Sequence, residues 1–172
     1  MLETIRGDLE ADLAGVEARG WRRRALIAVR ITLSHRVQAV LLLRAAQLLG
    51  RRFPPGAIVV KWLNQTLNGC DIAWQARIGR GLRLDHPAGV VVGPAVEVGE
   101  FCTLMQGVTL GDNRGAPRLG DRVYVAPGAI VMGPVTVGDD AIIGANSVVT
   151  KSVPADAVVF GNPAEVRRRG SR

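Results

Sequence analysis

Between Leu119 and Val149 an aliphatic residue returns at every sixth position: Leu119, Val125, Val131, Val137, Ile143 and Val149. A helix repeats every 3.6 residues and a strand every 2, so neither explains this spacing. A period of six describes flat faces, each one short strand long, wound into a solenoid. Gly120, Gly138 and Gly144 directly follow aliphatic positions, and the fourth position after each is small or branched: Val123, Ala129, Val135, Ala141, Ser147. The same period runs further back in two other phases. Ile72, Ile78, Leu84 and Val90 share one, and Val92, Val98, Leu104 and Leu110 share the next, displaced by two residues. The stretch 111–118 (GDNRGAPR) interrupts the count and is expected as a loop leaving a corner. A β-sandwich would instead show longer alternating strands at a wider turn spacing.

The first 64 or so residues follow a different rule. Ile5, Leu9, Leu13 and Val16 fall at helical spacing, and Arg22 to Leu49 reads as a second helix with a wide apolar face. Arg51 to Gly56 (RRFPPG) ends it, because paired prolines cannot continue a helix. A short third helix is expected over Ala57 to Leu67. The chain therefore divides into an N-terminal helical segment (1–68), a mainly β solenoid of hexapeptide repeats (69–153) and a C-terminal tail (154–172). Solenoids need caps: the helices suit the first coil, and the tail, crossing back, suits the last. Outer faces still rich in valine and isoleucine predict side-by-side packing into a closed cyclic oligomer.

Composition fits a narrow prism: in 172 residues aromatic content is 4%, while 21 glycines are available for corners. The formal charge is +7, concentrated at Arg22–Arg24 and at Arg167, Arg168, Arg169 and Arg172. That charge fits nucleic acid, a small polyphosphate ligand or a solvated tail. No nucleic-acid module is recognisable and aromatic residues for base stacking are scarce, so no nucleic-acid partner is expected. Cys70 and Cys102 make neither a disulfide framework nor a metal spacing, and no metal is expected. No secretory signal is read, and the most apolar stretch, Val37 to Leu49, is too short to span a bilayer and carries Arg44. The expectation is a cytoplasmic protein without a membrane partner.

Of two histidines, His35 lies among apolar helical residues and reads as structural. His86 lies in the solenoid, directly after a hexad position and between Asp85 and Pro87, which suit a rigid turn. Asp71 precedes it by 15 residues, three short of a coil of about 18, which predicts neighbouring coils offset along one edge. Such a carboxylate can fix the imidazole tautomer and raise the basicity of the second ring nitrogen, making a base for a hydroxyl or amine. On spacing alone, His86 reads equally well as a surface turn residue.

Several runs together resemble the catalytic region of the serine O-acetyltransferases: Asp71-Ile72, Ile78-Gly79-Arg80-Gly81-Leu82, Leu84-Asp85-His86, Gly89 to Gly93 and Gln106 to Gly111. Gly133 to Gly138, Ile143 to Val149, Val153-Pro154 and Gly161 to Ala164 extend the resemblance over roughly 70–165. It implies a left-handed parallel β-helix assembled as a homotrimer, with a dimer of trimers left open, and acetyl-CoA as acyl donor in the groove between solenoids. It implies His86 as catalytic base, Asp71 as its partner and Asp85 as a contact to the amino-acid substrate. A further acidic contact would come from the helical segment, at Asp8 or Asp12. The coenzyme would run past Gly111, Pro127, Ala145 and Lys151 toward the C-terminal arginines, Arg168 among them, where cationic side chains favour phosphate.

The sequence also departs from that family. The loop after Thr109-Leu110-Gly111 is short and lacks the Arg-His pair that helps hold the substrate carboxylate; Ala116 precedes Pro117, and Arg114 or Arg118 would have to replace the charge. Gly93-Pro94 stands where Gly-Glu is usual, and Ala73 where a histidine is usual. The expected reaction is acetyl transfer from acetyl-CoA to the hydroxyl of serine or a serine-like molecule. The alternatives are a sugar, amino sugar or specialised metabolite as acceptor, with a carrier-protein-bound donor also open.

Overall fold

The computed structural model describes residues 2–13, 34–111 and 114–167. Helices α1 (Leu2–Leu13), α2 (His35–Gly50) and α3 (Pro54–Asn68) precede a parallel β-solenoid. Face A stacks β1 (Asp71–Ile72), β4 (Val91–Val92), β7 (Thr109–Gly111), β10 (Ile130–Met132) and β13 (Val148–Val149). Face B stacks β2 (Arg77–Ile78), β5 (Glu97–Val98), β8 (Arg118–Leu119) and β11 (Thr136–Val137). Face C stacks β3 (Arg83–Asp85), β6 (Thr103–Met105), β9 (Tyr124–Val125), β12 (Ile142–Ile143) and β14 (Val158–Gly161), and β15 (Ala164–Arg167) folds back antiparallel on β14.

One aliphatic residue per face per coil fills the prism. Ile72, Val92, Leu110, Val131 and Val149 stack under face A, Ile78, Val98, Leu119 and Val137 under face B, and Leu84, Leu104, Val125, Ile143 and Val159 under face C, all buried. The interior is narrow and the corners are tight. A Cβ added at Gly79 would lie 2.6 Å from the carbonyl oxygen of Gly99 on the next coil, so this turn excludes any larger residue.

The phase slips in the sequence are insertions at corners. On the edge joining face C to face A, Leu84 and Val92 are eight positions apart, against six for Leu104–Leu110, Val125–Val131 and Ile143–Val149. The two extra residues form the His86 turn. Val90 is consequently the buried corner residue before Val92, and Val92, not Val90, stacks on Ile72. On the A-to-B edge, Leu110 and Leu119 are nine positions apart, so the loop expected at 111–118 adds only three residues to a hexad.

The helices close the open first coil. Arg44 of α2 is buried and donates to the carbonyl oxygens of Ile78 (2.9 Å) and Gly79 (2.5 Å). Gln47 Nε2 donates to Ala76 O at 3.0 Å, and Asp8 Oδ1 of α1 accepts from Leu82 N at 3.0 Å. Backbone groups of the first coil have no preceding coil to bond, and these side chains satisfy them. Helix α3 begins earlier than the sequence reading placed it. Pro54 and Pro55 occupy its first two positions, where their missing N–H groups cost nothing. The helix ends at Gly69, whose φ of 69° turns the chain into β1. At the other end, β14 lies parallel to β12 and completes the last coil, so the solenoid runs past 153 to Gly161. Of the second predicted helix, residues 22–33 lie outside the described residues.

Candidate active site

The C-to-A edge gathers the acidic and imidazole side chains. His86 is exposed and sits in the left-handed region at φ 60°, where a histidine is tolerated better than most residues. Asp71 opens the first coil and His86 closes it. That coil spans 20 residues in register, from Asp71 to Val91, so the two belong to opposite ends of one coil and not to neighbouring coils as the spacing suggested. They meet on the same edge: Asp71 N donates to Val90 O at 2.8 Å, and Gly89 N donates to Gly69 O at 2.8 Å. Among the described residues no hydrogen bond joins the His86 and Asp71 side chains. The Asp71 carboxylate instead meets Lys61 of α3, with 2.6 Å between Oδ1 and Nζ.

Asp85 forms ion pairs with two arginines. Arg36, in the first turn of α2, closes on Oδ1, and Arg83 Nη2 lies 3.2 Å from Oδ2. Lys61 and Arg36 were missed by the sequence reading, since helix periodicity says nothing about which corner a helix end approaches. Arg83 carried a readable signal, because residues two apart on a strand share a face. His35 is structural: Nδ1 lies 3.1 Å from Asn68 Oδ1, while Asn68 Nδ2 donates to Asn64 Oδ1 and Asn64 Nδ2 to Ala39 O, a chain that stitches α2 to α3.

The other expected site residues scatter. Asp8 is buried with Arg44 (Oδ2 to Nε, 2.8 Å) and also binds Leu82 N, so its carboxylate is engaged in closing the first coil. Arg114 is exposed on the A-to-B edge of the third coil, away from His86 within one protomer. The side chain of Asp12 and the whole of Arg168 lie outside the described residues. Gly111 ends β7, and exposed Lys151 lies just beyond β13. Pro127 and Ala145 stand on the same edge as His86, in successive corners joined by Gly107 N to Ala88 O (3.0 Å), Gly128 N to Gln106 O (2.9 Å) and Asn146 N to Pro127 O (2.9 Å). Ala145 is three coil spacings above His86, about 14 Å at the usual strand separation.

The edge can therefore supply a base, acidic groups beside it and a straight backbone track leading away. Cys70 and Cys102 are buried, and burial pushes both thiols up to about 11, which makes neither a nucleophile at neutral pH. Among the described residues no group of three or more His, Cys, Asp or Glu is placed to hold a metal. A cleft of about 690 Å³, bounded by Arg51, Trp74, Arg77 and Arg118, opens on face B, across the prism from His86.

Residues 116–151 match the family model for the bacterial transferase hexapeptide (six repeats). The chain is 37% identical over 174 residues to the serine acetyltransferase of Mycobacterium tuberculosis, covering 96% of this chain and 73% of that protein. It is 41% identical over 135 residues to the serine acetyltransferase of Helicobacter pylori, covering 75% of this chain and 79% of that one. The crystal structure of Neisseria gonorrhoeae serine acetyltransferase in complex with serine superposes with a TM-score of 0.83 at 27% identity, over 97% of this chain and 69% of that one. Soybean serine acetyltransferase complexed with serine gives a TM-score of 0.84 at 30% identity, over 96% and 68%.

Proposed function

Because this chain belongs to the serine acetyltransferase family, we propose that it transfers the acetyl group of acetyl-CoA to the hydroxyl of serine, with His86 as general base. The observation that carries the assignment of the base is the two-residue insertion at the C-to-A edge. It sets an exposed imidazole at a corner flanked by Asp71 and Asp85, on an edge that continues past Pro127 to Ala145.

The imidazole takes the proton of the acceptor hydroxyl as its oxygen bonds to the thioester carbonyl carbon. The tetrahedral centre then expels the thiolate, and the imidazolium returns the proton to sulfur. General-base assistance of this kind is worth about 10²–10⁴-fold. Asp71 supplies negative charge that stabilises the imidazolium, and Lys61 holds that carboxylate at the edge. Burial disfavours both thiolates, so neither cysteine serves as an acyl carrier, and the reading is a direct transfer between the two bound substrates. Acetyl-CoA follows the corners at Pro127 and Ala145 toward Lys151, with Gly111 at its flank.

The assembly is a homotrimer. Apolar side chains exposed on faces A and C, including Val91, Tyr124 and Met132, favour side-by-side packing. Arg114 and His86 occupy different edges, so an acceptor that meets both lies between two copies. No described helix is long and apolar enough to cross a membrane.

A thiol-release assay with acetyl-CoA and serine tests the assignment. Turnover by the native protein and its collapse in H86A are expected; equal turnover by the two would remove His86 from the reaction.

A further inference from the structure

Helix α3 turns its polar residues inward. Ile58, Val59, Trp62 and Leu67 are exposed, whereas Ala57, Asn64 and Asn68 are buried. Ala57, Lys61, Asn64 and Asn68 are spaced by four, three and four residues, so Lys61 shares the inward face. That face is pinned. Asn64 Nδ2 donates to Ala39 O of α2 at 2.9 Å, Asn68 Nδ2 donates to Asn64 Oδ1 at 2.9 Å, and Gly69 N closes the helix on Gln65 O at 3.0 Å. Lys61 therefore reaches Asp71 from a helix that is itself held in place. The two carboxylates at the His86 corner share their cations unequally. Asp85 faces Arg36 and Arg83, while Asp71 has Lys61 alone among the described residues.

A carboxylate has two oxygens and about four lone-pair sites, so one ammonium leaves Asp71 room for a second donor. The Asp71 backbone is already tied to the corner, through its N–H to Val90 O. Rotation of the side chain is the freedom that remains, and an ion pair to a pinned helix restricts it. We propose that Lys61 is a positioning residue for the base: it holds the Asp71 carboxylate on the C-to-A edge, where a ring N–H of His86 can donate to it. That bond fixes the imidazole tautomer and leaves the other nitrogen for the acceptor hydroxyl. Lys61 acts only through Asp71 and touches neither substrate. Asp85, already facing two guanidinium groups, is the poorer partner for the ring. This role rests on His86 as the base and adds to it an anchor from the helical segment, which neither the hexad pattern nor the Asp71–His86 spacing requires.

The test is a double-mutant cycle in steady-state thiol release with serine at saturating acetyl-CoA. It compares the native protein, K61M, D71N and K61M/D71N, with K61R beside them. Partly exposed ion pairs correspond to at most about fivefold, so K61M is expected to lower kcat roughly threefold to fivefold and to leave serine KM within about twofold. K61R keeps the charge and should return kcat to within about twofold of native. In the D71N background K61M should have no further effect, because a residue acting through Asp71 then has nothing to position. The same loss in both backgrounds, or a K61M kcat at or above the native value, overturns the role of Lys61. A second readout needs no acceptor: nitrogen NMR of the imidazole at alkaline pH, with H86N assigning the His86 signal. One tautomer is expected in the native ring and a mixture in K61M and D71N alike; identical native and K61M spectra overturn the role of Lys61. A native protein that releases no thiol with serine overturns the serine reading alone, and the spectra then decide for Lys61. Should K61M fail to fold, K61Q takes its place in both measurements.

Discussion

Lys61 Nζ lies 2.6 Å from Asp71 Oδ1, so the last helix before the solenoid grips the first residue of the first strand. The pair is roughly one-third exposed on each side, and such pairs contribute about 1 kcal/mol or less. Its importance is positional, since Asp71 stands on the edge that carries His86. D71N is expected to lower kcat roughly tenfold to hundredfold while shifting the melting temperature by only a few degrees. Steady-state kinetics beside thermal unfolding will check it; a native kcat in D71N would take this carboxylate out of the reaction.

H86N should reduce kcat by about 10²–10⁴-fold, the range for loss of a general base. On the coenzyme path proposed above, the acetyl-CoA contacts lie higher on the edge than His86, so the thermal stabilisation given by acetyl-CoA should match that of the native protein. Loss of that stabilisation in H86N would place the imidazole in coenzyme binding instead.

Asp8 and Arg44 form a buried pair at 2.8 Å that also caps backbone groups of the first coil. Removing one partner leaves the other charge buried and uncompensated, at a cost of about 3–5 kcal/mol. D8A should therefore melt roughly 10 °C lower, while serine KM in the protein that remains folded is unchanged. A selective rise in serine KM with native stability would restore Asp8 to the substrate site.

Burial raises the Cys70 and Cys102 thiols from their ordinary 9.0 to about 11; backbone hydrogen bonds act in the opposite direction. Because the neutral form is favoured in the fold, the stabilisation is fully present below pH 9. It is lost as pH rises from 9 to 11, where thiols of the unfolded chain ionise first. The difference amounts to about 2–3 kcal/mol per thiol. Unfolding free energies at pH 8 and pH 10.5 should fall less for C70A/C102A than for the native chain, and equal falls would contradict the burial argument.

The solenoid was legible because its rule is local. Each coil buries one aliphatic residue per face, so the period of six is written directly in Leu119, Val125 and Val131 and in the corner glycines. Phase slips are equally local, and the slip between Leu84 and Val92 already contained the corner that carries His86. Helix ends were less legible: Pro54-Pro55 reads as a stop for one helix and as a start for the next, and the fold uses it as a start.

Periodicity and spacing alone determined that this chain winds into a prism and that Asp71 and His86 return to one edge. Tertiary structure decided what each carboxylate faces. Asp8, Asp71 and Asp85 are chemically identical on paper, yet one is sealed with Arg44, one is held by Lys61 and one lies against Arg36 and Arg83. Apart from Arg83, which lies on the same strand as Asp85, those partners come from helices α2 and α3, up to 49 positions away in the chain, at Arg36 and Asp85. Their approach is set by packing of whole helices onto the first coil, and no short-range pattern encodes that.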